Sequence, residues 1–385
     1  MLNINNKFYV SIKVGGKTLN LDSVTLKSMT LQSNALFSFP TACIELSDSI
    51  RYFDTNPLLD GTTIDIQAGI DYSKLDKPLY RFRVYSVTHK ESGSVVYYKI
   101  NCIFNAPKYI NESFKGAFNS SSASAISEIA KTCGLISDVD ATTDNQVWYG
   151  AARKRYVIAK EISEASYLNP NSCYALGLTL DSKLKLKNIS AINISASNNL
   201  FVQGHKVSAN VVSVLDKKES TNSGLFNNLS AYKFEGIEQL TEGNYLSHDT
   251  LKLSSKSTTI NVNSTLNSKL ESGTVKVYPV TTGNKHSNAY QAKYQNTRIK
   301  STYGNTLNIL INQESNLDLF DAIKYVCFDN LNGQVKINNK LSGGYIISGK
   351  IIYIESGNYY EKIQITRQGY NLDTITAGDK QILGI

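Results

Sequence analysis

Apolar and polar residues alternate with a period of two over most of this chain. Phe8, Val10, Ile12 and Val14 interleave with Lys7, Tyr9, Ser11 and Lys13, the pattern of a strand with one face buried, and the run stops at Gly15-Gly16. Similar runs predict strands over 24–31, 42–47, 62–70, 79–89 and 95–104, divided by short turns that contain Gly, Pro and Asp. Two stretches far apart repeat one pattern. Tyr80 to Val87 leads into Glu91-Ser92-Gly93 and returns through Tyr97 to Ile103, while Tyr345 to Tyr353 leads into Glu355-Ser356-Gly357 and returns through Tyr359 to Ile365. Each reads as a hairpin closed by a Ser-Gly turn, rich in aromatic and β-branched residues. Each follows a shorter apolar run opening on Leu-Asp, at Leu59-Asp60 and at Leu317-Asp318. Matched hairpins behind matched lead-in strands predict a duplicated β-domain.

Between the two copies the period changes. Ile126, Ile129, Ala130 and Cys133 fall at i, i+3, i+4 and i+7, one apolar helix face, with Ser120-Ser121-Ser122 before it as a cap and Gly134 placed to end it. A second helix is predicted over 154–167 with Ile158, Ile162 and Ala165 inward, stopping before Pro170. Cys173 to Leu180 and Leu184 to Ile189, joined by Asp181-Ser182-Lys183, read as a hairpin whose second strand alternates cleanly. Beyond residue 200 strands are predicted over 206–215, 229–236, 274–280, 306–313, 321–328, 343–354 and 359–367. A helix over 287–300 carries a Tyr290, Tyr294 and Thr297 stripe that reads as core rather than as a ligand platform. Residues 216–228 and 243–273, rich in Ser, Asn, Thr and Lys, read as a loop and an inserted subdomain.

The chain thus divides into a β-domain over 1–107, an α+β module over 108–198, a second β-domain over 199–369 with an insertion at about 243–273, and a tail over 370–385. The fold class is mainly β with an α+β middle, the two outer domains being antiparallel barrels or sandwiches. Leu372, Ile375, Ile382, Leu383 and Ile385 in the tail have no core of their own, which makes them the candidate interface for a partner.

Composition narrows the function. Tyr, at 24 copies against 13 Phe, suits strands that are dry on one face and wet on the other. Cys43, Cys102, Cys133, Cys173 and Cys327 are odd in number, far apart and mostly flanked by apolar residues, so they read as reduced core thiols. The net charge of +8 is scattered, and its densest cluster, Arg153-Lys154-Arg155, reads as a solvated helix start rather than a phosphate site. No run is long enough to cross a bilayer, and Met1 to Asn6 lacks the blocks of a signal peptide, so folding in a cytoplasm without membrane anchoring is expected. His89, His205, His248 and His286 share no metal-ligand spacing, and His89 reads as a surface residue at a strand end. No phosphate loop, nucleophile elbow or zinc-protease helix occurs, and Glu161 with Glu164, or Glu235 with Glu238, read as solvated faces rather than glycosidase pairs. No catalytic, cofactor-binding or metal residue is therefore assigned, and a non-enzymatic protein without cofactor is expected.

Three features together resemble a known family. They are the order β-domain, α+β module, β-domain; the stretch Ser124 to Leu135 followed by a second helix and the strand-turn-strand of 173–189; and Leu317-Asp318-Leu319-Phe320-Asp321 leading to Leu341-Ser342-Gly343-Gly344-Tyr345 and the Arg367-Gln368-Gly369 end. The layout is similar to that of the baseplate hub proteins of contractile-tailed bacteriophages, related to the hub part of the type VI secretion spike. The resemblance implies that each outer domain copies the tail-tube fold and that three chains form a ring of six such domains around a channel. A homotrimer of this kind adapts a hexameric tail tube to a trimeric central spike, presenting six similar surfaces on one side and three on the other. Implied partners are copies of the chain itself, the tail tube protein, the central spike protein and neighbouring baseplate proteins, with DNA only as cargo passing through the channel. The implied place is the tail baseplate of a virion, assembled in the host bacterial cytoplasm. Larger members carry a spike or a wall-degrading enzyme after the second β-domain; only sixteen residues follow Gly369 here, so the 370–385 tail is expected to dock on a separate spike chain. The insertion at about 243–273 departs from the family pattern. Rival readings are a receptor- or carbohydrate-binding tail protein, marked by aromatics on loop tips, and a cell-wall hydrolase of the tail tip.

Overall fold

The computed structural model describes residues 8–14, 16–22, 25–35, 39–70, 79–169, 171–204, 211–220, 258–262, 273–277, 305–331, 334–367 and 375–383, with Ala292, Asn296, Lys300 and Tyr303 between them. The first sheet holds β1 (Tyr9–Val14), β2 (Lys17–Leu21), β3 (Leu26–Asn34), β4 (Thr41–Asp48), β5 (Thr63–Gly69), β6 (Tyr80–Ser92) and β7 (Val95–Phe104), with the short helix α1 (Tyr52–Thr55) between β4 and β5. Its strands run in the order β3-β4-β7-β6-β5-β1-β2, and every pair is antiparallel. Val10, Ile12 and Val14 are buried, as alternation predicts. The strand that alternation missed, β2, is an edge with Lys17, Thr18 and Asn20 exposed and little apolar signal.

The middle of the chain folds as α2 (Pro107–Ile110), β8 (Ser113–Phe114), β9 (Ala117–Ser120), α3 (Ser122–Cys133), β10 (Ile136–Val139), β11 (Gln146–Tyr149), β12 (Arg153–Lys154), α4 (Arg155–Ala165), β13 (Tyr174–Leu178) and β14 (Lys183–Asn188). Ser121 caps α3 by accepting the Ser124 N–H, and Gly134, at φ 73°, ends it in the left-handed conformation. Ile126 and Ile129 are wholly buried, each contributing ~1.5–3 kcal/mol. Ile158, Ile162 and Ala165 of α4 face the same core. Buried Asp144 joins the helices by accepting the Ser122 N–H and hydroxyl and the Tyr167 N–H. Strands β13 and β14 form the expected hairpin, with β10 parallel to β14.

The second sheet holds β15 (Leu200–Gln203), β16 (Val212–Ser213), β17 (Asp216–Ser220), then a separate pair β18 (Thr258–Val262) and β19 (Gly273–Val277), then β20 (Asn305–Ile311), β21 (Ala322–Leu331), β22 (Gln334–Ile337), β23 (Gly343–Glu355) and β24 (Asn358–Arg367). Its order is β17-β20-β24-β23-β21-β15-β16, with β22 extending β21. Rank for rank this is the order of the first sheet. The one difference in direction is β15, which runs parallel to β21 and β16 where β1 is antiparallel to both neighbours.

The hairpins match in register too. Strands β6 and β23 each have thirteen residues, β7 and β24 each have ten, and a bulge follows Val84 in one and Ile347 in the other. Ser92 pairs with Val95 as Glu355 pairs with Asn358, so the turns are Gly93-Ser94 and Ser356-Gly357. The shared Glu-Ser-Gly of the sequence is thus one residue out of structural register, and only the second turn is Ser-Gly. The lead-in turns also repeat: Gly61 N–H bonds Val84 O and Phe320 N–H bonds Ile347 O, each at 2.8 Å.

Neither sheet closes into a barrel. Among the described residues β2 does not pair with β3, nor β16 with β17. Instead β3 pairs antiparallel with the outer half of β23, which joins both sheets into one of fifteen strands. Satisfying the β3 edge from the other half of the chain removes the need for closure. Ile352, Ile354 and Tyr359 of the second hairpin enter the core of the first half.

Other expectations in the second half fare unevenly. Of the predicted 206–215 strand, residues 206–210 lie outside the described residues and only β16 is strand. Strand β17 falls in the 216–228 stretch read as a loop, where pairing with β20 draws a polar segment into the sheet, and β15 precedes both. Residues 229–236, and Tyr290, Tyr294 and Thr297 of the predicted helix, lie outside the described residues. Ala292, Asn296 and Lys300 are helical at four-residue spacing, and Ala292 and Asn296 are buried. Helix α5 (Ala377–Leu383) ends the described chain. It packs Leu383, with Ile375, against Leu200, Val202, Val326 and Phe328, so these two tail residues have a core within the chain.

Candidate assembly surface

Eight strands, four from each half, form one unbroken path β17-β20-β24-β23-β3-β4-β7-β6. Alternation gives it a dry and a wet face. Met29, Leu31, Ile44, Ile100, Ile352 and Ile363 fill the dry face. On the wet face Thr30, Tyr353 and Tyr360 lie side by side across three strands, the two tyrosine rings stacked 6.2 Å apart. Glu45 meets Lys99 at 2.9 Å there, an exposed pair in which the hydrogen bond lowers the carboxyl pKa and raises that of the amine. A depression of about 440 Å³ on this face is lined by Thr30, Ile351, Tyr353, Lys362, Asn308 and Lys218. The path has two ends. Among the described residues strand β17 pairs only with β20, and β5 covers only Tyr80 to Arg83 of β6, so the outer half of β6 has β7 as its single neighbour there.

Three parts of the chain meet around a cavity of about 180 Å³ lined by Ala68 and Tyr80, by Asp181 and Lys183, and by Asp318 and Lys350. Lys350 Nζ meets Glu361 Oε1 at 3.2 Å and also donates to Ser315 Oγ and the Leu317 carbonyl. Glu361 further accepts from the Tyr359 hydroxyl at 2.8 Å and from the Ser315 N–H and hydroxyl. Burial pushes the Asp318 carboxyl up to about 6, while burial of Asp181 is outweighed by its bonds to Lys183 and Thr179, which hold it below the ordinary carboxylate range.

Next to this cavity Phe320 takes φ 70° at the position where the first copy has Gly61 at φ 83°. That conformation costs a bulky residue ~1–2 kcal/mol. The ring is buried against Gly177 of β13, where a Cβ would lie 2.9 Å from Phe320 Cε2. Packing of the second sheet on the middle hairpin thus holds the strained residue. Lys185, whose clean alternation suggested a wet position, is buried and donates to Leu319 O at 2.9 Å. Asn296 accepts the Tyr174 N–H and donates to the carbonyls of Ser163, Glu164 and Ser166 at the end of α4. Sequence reasoning found none of Lys185, Asn296 or the Lys350–Glu361 pair, since isolated polar residues in strands and helices look solvent-facing.

Ile382 of the candidate tail interface is 55% exposed, whereas Ile375 and Leu383 are buried in the chain; Leu372 and Ile385 lie outside the described residues. Asp379 ties this segment down. It accepts from Lys324 Nζ at 2.9 Å and from the Thr376 N–H and hydroxyl, and these bonds outweigh its burial and lower its pKa. The five cysteines are unpaired, and burial raises Cys102 and Cys173 to about 12, so neither is a nucleophile at neutral pH. Arg153 and Arg155 are more than a solvated helix start. Arg153 bonds the Tyr149 carbonyl and pairs with Glu161, and Arg155 meets Glu112 at 3.0 Å and lies over the Phe114 ring. His89 is exposed within β6; His205, His248 and His286, like Glu235 and Glu238, lie outside the described residues. Among the described residues no three His, Cys, Asp or Glu side chains converge on a metal position, and no helix is long and apolar enough to cross a membrane. The exposed Tyr85, Tyr97 and Tyr149 sit in strands rather than on loop tips. In the closing stretch, Arg367 stacks 4.5 Å over the Tyr345 ring and donates to Ser342 O at 2.7 Å, which explains why the Ser-Gly-Gly-Tyr start and the Arg end go together.

No protein-family model matches the chain, and no curated protein matches it in sequence. Its structural neighbours are phage tail and baseplate proteins and components of type VI secretion. The fold is similar to that of a tail protein from Neisseria meningitidis MC58, at TM-score 0.55 and 11% identity over 97% of this chain and 99% of that one. It is equally similar to the 43 kDa tail protein of prophage MuSo2 from Shewanella oneidensis, at TM-score 0.57 and 10% identity over 94% of this chain and 98% of that one. A looser likeness, TM-score 0.45 at 9% identity over 94% and 77% of the two chains, links it to a type VI secretion component from E. coli. The chain shares the fold of the two tail proteins over nearly its whole length.

Proposed function

We propose that this protein is a structural, non-enzymatic baseplate hub of a phage tail, a homotrimer that joins a hexameric tail tube to a trimeric central spike and forms part of the channel between them. The observation that carries the reading is the repetition of one seven-strand order, with one hairpin register, in both halves of the chain. Two copies of one sheet per chain let threefold assembly present six similar surfaces, which a sixfold tube meeting a threefold spike requires. The likeness to two tail proteins over nearly their whole length supports the same place in a virion. In this reading residues 1–107 and 199–369 are the two tube-like domains, 108–198 braces them, and the wet face of the eight-strand path lines the channel through which DNA passes. Among the described residues of the 370–385 tail, spike contact falls to exposed Ile382, since Ile375 and Leu383 are engaged within the chain. Mass photometry of the purified chain, alone and with its spike, is the test. A three-chain species is expected; a monomer at every concentration, with and without spike, would refute the hub.

A further inference from the structure

The contact between the two halves of the chain supplies a template for the contact between chains. Resting on the ring reading above, we infer that the free edge of β6 in one copy pairs antiparallel with β17 of the next copy, in the register that β23 and β3 use inside the chain. The correspondence follows from pairings already described. In each half the lead-in strand covers only the start of the long hairpin strand, Tyr80 to Arg83 of β6 and Gly343 to Ile346 of β23. The remainder of β23, Gly349 to Glu355, is taken by β3; the matching Ser86 to Ser92 of β6 has no second neighbour among the described residues. Strand β17 holds the rank of β3 in the second sheet. Thr41 pairs with Ile103 as Thr306 pairs with Thr366, which sets β4 against β20 and Ser28 against Asp216.

The template rungs are Glu355 on Ser28, Ile354 on Met29 and Ile352 on Leu31. Carried over, they set Ser92 on Asp216, Glu91 on Lys217 and His89 on Glu219 of the neighbouring copy. Chemistry supports this register. Ile354, Met29, Ile352 and Leu31 are almost wholly buried, as suits a seam that forms on folding and never opens. The corresponding rungs of the open edges carry a Glu facing a Lys and a His facing a Glu, soluble before assembly and complementary after it. The side chains of Glu91 and Glu219 are 62% and 46% exposed, and their contacts to Arg51 at 4.0 Å and Lys340 at 3.3 Å are surface pairs that yield readily. Lys217 Nζ meets Cys327 Sγ at 2.7 Å and is half-buried beside the edge. One rung is adverse: Lys90 falls opposite Lys218 on the wet face, where Asp216 two residues along partly offsets the repulsion. With β17 and β6 joined in this way, three eight-strand paths close into one continuous wall.

Paired cysteines test the register. Oxidised His89→Cys/Glu219→Cys protein is expected to give covalent species of up to three chains, absent from either single variant and from the off-register His89→Cys/Lys217→Cys protein. Glu91→Lys should weaken assembly about tenfold, with Lys217→Glu restoring it in the double variant, and Lys90→Glu should tighten it. Circular dichroism identifies any variant that fails to fold; the cysteine pairs, all on exposed or edge positions, then decide alone. A three-chain mass with no excess of cross-linking at 89/219 over the off-register pair overturns the seam and leaves the hub reading standing. A monomeric mass for the unaltered chain overturns both.

Discussion

Lys350 and Glu361 form a closed account of charge beneath the junction of the three parts, and removing either partner has a calculable cost. The lysine head makes three polar contacts, to Glu361, Ser315 and the Leu317 carbonyl, which uses all its donors; the carboxylate receives the lysine, a tyrosine hydroxyl and two groups of Ser315. Their side chains are only 10% and 2% exposed, so water cannot replace a lost partner. Breaking a buried pair costs ~3–5 kcal/mol, and since Glu361 keeps the Tyr359 and Ser315 bonds, Lys350→Met belongs near ~3 kcal/mol. Glu361→Gln keeps the shape but leaves the buried Lys350 ammonium without its counter-charge, so it too belongs near ~3 kcal/mol. The double variant leaves no buried charge, so its cost should be ~2 kcal/mol rather than the ~6 kcal/mol of simple addition. Urea unfolding followed by far-UV circular dichroism and by the fluorescence of Trp148, the chain's single tryptophan, measures all three proteins. Additivity within ~0.5 kcal/mol would show that the two side chains do not act as a pair.

Further outcomes follow from the same junction and from the tail. Gly177→Ala puts a Cβ 2.9 Å from the Phe320 ring and 3.1 Å from Leu319 Cδ1, and should cost ~1–3 kcal/mol in thermal unfolding; an unchanged midpoint would deny the close approach. Because the folded state holds the Asp318 proton more tightly than the unfolded chain, its contribution is full below the ordinary pKa of ~4 and is lost as pH rises through about 6, on the order of 2–3 kcal/mol. Asp318→Asn should flatten that part of the stability profile, and a profile identical to the parent's would refute the assignment. The lowered pKa of Asp379 has the opposite sign, so its latch is complete above ~4 and fails as pH falls through the folded value. Asp379→Ala should release 375–383 at neutral pH, read as loss of amide protection in hydrogen exchange, and unchanged protection would sink the latch.

Local order was legible in the sequence because it depends on spacing alone. The alternation of Val10, Ile12 and Val14, the helix stripe of Ile126, Ile129 and Ala130 with its Ser121 cap and Gly134 stop, and the repeated hairpins are properties of a few neighbouring residues. The hairpin match was visible one residue out of register, since Glu-Ser-Gly catches the eye while the bulges after Val84 and Ile347, which set the true alignment, leave no mark in composition. Tertiary structure alone decided that the sheets stay open and join through β3 and β23, for strand partners are chosen by which edges remain unsatisfied once the whole chain has folded. It decided likewise that Lys185, Lys350 and Glu361 are buried, and that Phe320 can sit where the first copy needs a glycine. A residue's neighbours along the chain fix which face it takes; whether that face meets water is settled by segments hundreds of residues away.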